Sequence, residues 1–193
     1  MKTIFIAVDF SAASIDACTY GIALAERWES RVILFHAFKS AVSIPDAFAV
    51  INADELKITA EKELQKLAQK IIGTKQLKYD VMAADGEAAE LILMYLQKYE
   101  DCMVVCGMKS KGNLLRKLFG DTITALLNKI NFPILVVPEG TAGINLHKFV
   151  FATDFHLDTD IRTLMPVLSF AKLGASKIVV LRVMHTDATA IEE

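Results

Sequence analysis

Residues Met103–Glu139 read MVVCGMKSKGNLLRKLFGDTITALLNKINFPILVVPE. Met103–Cys106 has the continuous apolar content of a strand covered on both faces, and Ile134–Val137, bounded by Pro133 and Pro138, has it again. Between them lie a loop from Gly107 to Gly120 that carries Gly and Lys, and a helix opening at Asp121. A strand, a helical crossover and a second strand form a parallel pair. A loop that leaves the carboxyl end of a strand and returns through a helix N-terminus can bring backbone N–H groups to a phosphate.

Working back toward the N-terminus, the alternation continues. Glu87–Tyr99 is a helix with Leu91, Ile92 and Tyr95 on one side, entered through a turn at Asp85-Gly86. Leu77–Ala84 partly alternates, which suits a strand at a sheet edge. Asp54–Ile72 places Leu56, Ala60, Leu64, Leu67, Ala68 and Ile71 at the spacing of a two-sided amphipathic helix ended by Gly73. Lys39–Ala53 has no periodicity, contains Pro45 and is read as a mobile loop. Val32–Phe38 and Thr3–Val8 are buried strands, and Ser11 or Ser14 caps the helix between them, which runs to about Trp28. Five strands strictly alternating with four helices make a doubly wound α/β domain over residues 1–139, a five-stranded parallel sheet of order 3-2-1-4-5 with helices on both faces.

Beyond a polar linker at 140–147 the beginning of the chain returns. Phe149-Val-Phe-Ala-Thr-Asp154-Phe155 parallels Ile4-Phe-Ile-Ala-Val-Asp9-Phe10, and Ala175–Arg182 parallels Glu29–His36. Residues 148–193 therefore read as an incomplete second copy, a partial βαβ repeat, with Asp154 but no phosphate loop.

Composition narrows the function classes. Of the 193 residues 53% are apolar and the net charge is −2, so a large core is expected and no basic stripe points to nucleic acid. The lysine and arginine cluster of Lys109, Lys111, Arg116 and Lys117 has no interleaved aromatics to stack bases. No run reaches the roughly 18 to 20 apolar residues of a membrane span, and Asp9 interrupts any signal-peptide core; a cytoplasmic protein with no membrane partner is expected. Cys18, Cys102 and Cys106 read as core thiols, since strand rise separates Cys102 from Cys106 by roughly 13 Å. His147, His156 and His185 have no ligand spacing, so no metal site is assigned. His36, inside an apolar strand and matched by Arg182 in the repeat, reads as a satisfied near-core histidine. No nucleophile–base constellation supports catalysis, so no catalytic residue is assigned and the chain is read as a non-enzyme.

In a sheet of order 3-2-1-4-5 a ligand sits beyond the carboxyl ends of strands 1 and 4. Asp9 and Gly107 end those strands and Ala37 ends strand 2. In that cleft Asp9 can accept from ribose hydroxyls, Ala37 can admit a flat base and Gly107 can let a ligand approach the backbone. Gly120 and the amides of Asp121 and Thr122 can meet a phosphate. The competing reading makes Asp9 a helix cap, the glycines turn residues and the lysines a solvated surface.

Over residues 2–139 the chain resembles the universal stress proteins. The resemblance is carried by Asp9-Phe10-Ser11, by Val32-Ile-Leu-Phe-His36, by Gly86, and by the block from Val104-Val-Cys-Gly107 to Pro133-Ile-Leu-Val-Val-Pro138. The repeat from Lys148 resembles the start of a second domain in tandem members. ATP-binding members carry Gly, two residues, Gly, nine residues, Gly, then Ser or Thr. Gly107 and Gly120 hold the outer positions, Ser110 replaces the middle glycine and Asp121 follows the last. The resemblance implies a regulatory module for ATP or AMP, with Asp9 at the ribose, Ala37 at the adenine, and Gly107, Ser110, Gly120, Asp121 and Thr122 around the phosphates. Asp121, read as a good helix N-cap, repels phosphate unless Mg2+ intervenes. The alternative is a member that binds no nucleotide and works through dimerisation and an unknown protein partner. The family's fifth strand commonly pairs with a counterpart, which implies a homodimer through Phe132–Pro138.

Overall fold

The structure, a computed structural model, describes residues 1–40, 52–109, 120–141, 143–153 and 157–182. The loop expected at 39–53 falls mostly outside these residues, as do Ser110, Lys111, Arg116, Lys117, Asp154 and His156. The chain divides into two compact units, Met1–Ile144 and Asn145–Glu193.

The first unit runs β1 (Thr3–Ala7), α1 (Ala12–Trp28), β2 (Arg31–Phe38), α2 (Ala53–Ile72), β3 (Tyr79–Asp85), α3 (Ala88–Leu96), β4 (Cys102–Met108), α4 (Asp121–Leu127) and β5 (Ile134–Pro138). The strands form one parallel sheet in the order β3-β2-β1-β4-β5. Topology and element order are those the alternating pattern requires.

The core lies on both faces of β1, β2 and β4. Phe5, Ile33, Phe35, Val104 and Cys106 pack with Ile92, Leu96, Ile123 and Leu126 on the α3–α4 side, while Ile4, Ile6, Val32, Leu34, Ala17, Ile22 and Leu64 are equally buried. Continuous apolar strands are expected of a sheet covered by helices on both sides. All three cysteines are buried and free.

Two sequence readings need correction. Helix α2 buries only Leu64, Ala68 and Ile72, so it is one-sided: a sheet edge gives a helix a single apolar wall. Helix α3 stops at Leu96 rather than Tyr99, because Lys98 and Tyr99 donate their amides to the carbonyls of Tyr95 and Leu96 in tighter turns.

The second unit pairs β6 (Lys148–Ala152) in parallel with β7 (Lys177–Leu181) around α5 (Leu157–Gly174). Phe149 lies opposite Ile178, as Ile4 lies opposite Val32, so the residues paralleled in sequence occupy the same register positions. Val150, Val180 and Leu181 are exposed, whereas their counterparts Phe5, Leu34 and Phe35 are buried beneath further strands and helices.

Candidate functional site

Strand β1 is central, flanked by β2 and β4, and the helices that follow it and β4 lie on opposite faces of the sheet. The carboxyl ends of these strands therefore open onto a crevice. Val8 still donates its amide to Phe35 at 2.8 Å. The chain then turns through Phe10, whose φ of 60° is left-handed, into Ser11, the N-cap of α1.

Within this turn the Asp9 carboxylate is held by its own neighbours. Oδ1 accepts from the Ser11 amide at 2.9 Å and the Ser11 hydroxyl at 2.5 Å. The Ser14 hydroxyl donates to the Ser11 carbonyl at 3.0 Å, and its oxygen accepts from the Asp9 amide at 3.3 Å. Partial burial pushes the Asp9 pKa up, but the Ser11 hydroxyl and amide, with smaller help from Ser14 and Lys109, outweigh it and hold the group below the usual carboxylate value. Asp9 is an ionised acceptor at neutral pH.

A cavity of about 460 Å3 opens here, and Asp9, Ala37, Gly107, Gly120, Asp121 and Thr122 all line it. Four separate segments, at Asp9, Ala37, Gly107 and 120–122, thus bring six of the seven sequence-expected positions to one place; the seventh, Ser110, lies outside the described residues. The volume is that of a small-molecule site. Its floor is apolar, formed by Ala7, Phe35, Ala37, Ile92, Cys106 and Ile123, and its charged groups among the described residues are Asp9, Asp121 and Lys109. Burial pushes the Cys106 thiol up to about 12, so it serves as floor and not as nucleophile.

Three details differ from the sequence reading. Gly107 contributes backbone to the wall, but its missing side chain faces helix α1: a Cβ there would lie 2.3 Å from the Ala13 carbonyl oxygen. Helix–strand packing by itself therefore requires glycine at 107. Gly120 is the opposite case, with φ −64° at the N-cap of α4 and no described residue within 4 Å of a Cβ; neither strain nor a described neighbour calls for glycine there. Asp121 is not the cap. It is the first residue of α4, and among the described residues no side chain caps that helix.

Sequence reasoning also missed several residues. Lys39 pairs with Glu87, and the Ser40 amide and hydroxyl both bond the Asp85 carboxylate, tying the exits of β2 and β3 together beside the cavity. The register supplies the signal, since Phe38 lies opposite Asp85, but a reading of Asp85-Gly86 as a plain turn hides it. Phe35, Ile92, Cys106 and Ile123 read as core because a cavity floor has the same composition as a core. Among the described residues no cluster of His, Cys, Asp and Glu could hold a metal, and no helix is long and apolar enough to cross a membrane.

A doubly wound parallel sheet of order β3-β2-β1-β4-β5, with its cavity beyond the carboxyl ends of β1 and β4, defines the class of open α/β proteins to which the chain belongs. The chain belongs to the universal stress protein family, whose model matches residues 1–138. No curated protein matches it. Among solved structures, a universal stress protein from Archaeoglobus fulgidus DSM 4304 is similar with a TM-score of 0.74 at 18% identity, over 97% of this chain and 70% of that one. UspA from Lactobacillus plantarum is similar at 0.54 and 16%, over 70% of this chain and 97% of that one. A universal stress protein described in complex with cAMP is similar at 0.51 and 14%, over 72% of this chain and 98% of that one. At such identities the likeness establishes the fold.

Proposed function

We propose that the first unit is a regulatory, non-enzymatic module of the cytoplasm that binds an adenine nucleotide, ATP or AMP, in the cavity between β1 and β4. The observation that carries this reading is the convergence of Asp9, Ala37, Gly107, Gly120, Asp121 and Thr122 on one cavity. An ionised carboxylate already oriented by Ser11 suits a ribose diol. An apolar floor beside Ala37 suits a purine, and the helix start at Gly120, with no described residue within 4 Å of a Cβ there, suits a phosphate. That a universal stress protein of the same fold is described in complex with cAMP supports the choice of an adenine ligand.

Asp121 sets the metal requirement. A carboxylate and a phosphate oxygen ~4 Å apart repel by about 4 kcal/mol at an effective dielectric near 20, and Mg2+ between them reverses the sign. Binding of ATP is therefore expected to need Mg2+, and binding of AMP to need it less. Thermal denaturation with 1 to 5 mM nucleotide, with and without Mg2+, tests the reading; ~1 to 5 mM spans Kd values up to the millimolar range. ATP or AMP should raise the melting temperature and Asp9→Ala should abolish the rise. No shift with Mg2+ present would remove the proposal, and phosphate release faster than in buffer would remove its non-enzymatic part.

A second reading is favoured by the two carboxylates that, among the described residues, share this cavity with the amine of Lys109: a module that binds no nucleotide and acts through protein association. The sheet edge at β5 supplies the surface. Its Ile134, Leu135 and Val136 are half-buried, and an unpaired apolar edge strand invites pairing. Under either reading we propose a homodimer through Phe132–Pro138. Sedimentation across a micromolar dilution series should show dimer, and a monomer throughout would overturn it.

A further inference from the structure

We infer that His36 is a positioning residue for the cavity: with Phe10 it forms a latch that grips both neighbours of Asp9 and so fixes the direction of that carboxylate. Three non-glycine residues with left-handed φ are found among the described residues, Phe10, Glu29 and Ala175. Glu29 and Ala175 follow the ends of α1 and α5, where a left-handed residue is the usual way to stop a helix. Phe10 instead precedes a helix, and it is an aromatic residue in a conformation that side chains disfavour. Something must hold it there.

The His36 imidazole is the group in place to do so. Its Nδ1 lies 2.7 Å from the Val8 carbonyl oxygen, as an N–H donor to it, and its ring lies 4.8 Å from the Phe10 ring at an interplanar angle of 54°. Val8 and Phe10 are the two residues that flank Asp9. One imidazole thus secures the chain before the carboxylate by a hydrogen bond and the chain after it by ring contact. With both fixed, the Ser11 amide and hydroxyl fall on Oδ1. Phe35 and Ala37 line the cavity, while His36 alternates to the opposite face of β2, so it orients the site without lining it. The latch itself stands on this geometry; its effect on nucleotide affinity rests on the proposed role of Asp9.

The test is a 13C carboxylate titration of Asp9 by NMR on the full chain without ligand. The wild type should titrate below the ordinary carboxylate value. His36→Ala should move the midpoint up, because the Ser11 donors no longer converge. Adding Phe10→Gly to His36→Ala should return most of the shift, since glycine takes a left-handed φ without the side-chain penalty. A role in general stability would not be rescued this way. An unchanged midpoint in folded His36→Ala, or a double variant that titrates like the single one, overturns the latch. If His36→Ala fails to fold, His36→Asn, which keeps a donor for Val8 and loses the ring contact, should give an intermediate midpoint; a wild-type midpoint there overturns the inference as well. Nucleotide affinity adds a separate arm, with about a tenfold loss expected for His36→Ala and recovery in the double variant. If the wild type binds no nucleotide, the proposed ligand falls while the titration still decides the latch.

Discussion

Replacing Gly107 by alanine separates a packing role from a ligand role. A Cβ at 107 would lie 2.3 Å from the Ala13 carbonyl oxygen, 2.4 Å from its carbon and 2.6 Å from the Ser14 nitrogen. Against an optimum of ~3.5 Å these contacts are short by about 1 Å. Every atom met is backbone, in the first turn of α1, and β4 on the other side is held by β1 and β5. No side chain can swing away, so helix and strand must part. Overpacking of this kind costs about 1–3 kcal/mol, and with rigid partners on both sides the upper end is expected, a fall in Tm of roughly 6–12 °C for a chain of this size. Gly120→Ala is the control. It meets no described residue at an ordinary φ; the poorer N-cap costs about 0.5–1 kcal/mol, and the stiffer unfolded chain returns about as much. Urea unfolding followed by the fluorescence of the single tryptophan, Trp28 in the last turn of α1, reads both. A Gly107→Ala variant within ~0.5 kcal/mol of wild type, or a Gly120→Ala variant equally destabilised, would refute the reasoning.

Further outcomes follow from individual groups. Asp9 is held below its ordinary pKa, so its contribution to stability is complete above the unfolded value and is lost as pH falls through the folded one. Wild type should therefore lose stability more steeply than Asp9→Asn on acidification below about pH 4, and parallel curves in acid urea titrations would contradict this. Burial pushes the thiols of Cys18, Cys102 and Cys106 up to about 12; a thiol reagent at pH 8 should react with none of them in the native protein and with all three in urea, whereas fast native labelling would show the core to be open. Gly86 has φ 139°, a conformation side chains rarely adopt, and Gly86→Ala should cost about 1–3 kcal/mol by urea unfolding. A neutral result there would mean that the turn into α3 relaxes freely.

The order of strands and helices was legible because burial on both faces leaves continuous apolar runs such as Ile4-Phe-Ile and Val104-Val-Cys, and parallel strands joined by helices have few allowed arrangements. That arrangement is enough to bring Asp9, Ala37, Gly107 and Gly120 together, since strand ends in a given order share a crevice whatever the side chains do. Element ends were less legible. Tyr99 is helical by pattern, but the last turn of α3 tightens instead. Likewise α2 shows two apolar stripes where a sheet edge has room for one.

What only the tertiary structure decided is the direction of side chains at close range. Gly107 and Gly120 look alike in sequence, yet one faces the backbone of α1 and the other meets no described residue, because one lies in a strand under a helix and the other opens a helix. His36 reads as an ordinary near-core residue until the left-handed turn at Phe10 brings an aromatic ring onto it. Sequence determined which residues meet, through topology; three-dimensional packing determined which atoms of those residues face the cavity, because that depends on backbone dihedrals and distances that no pattern of residue types encodes.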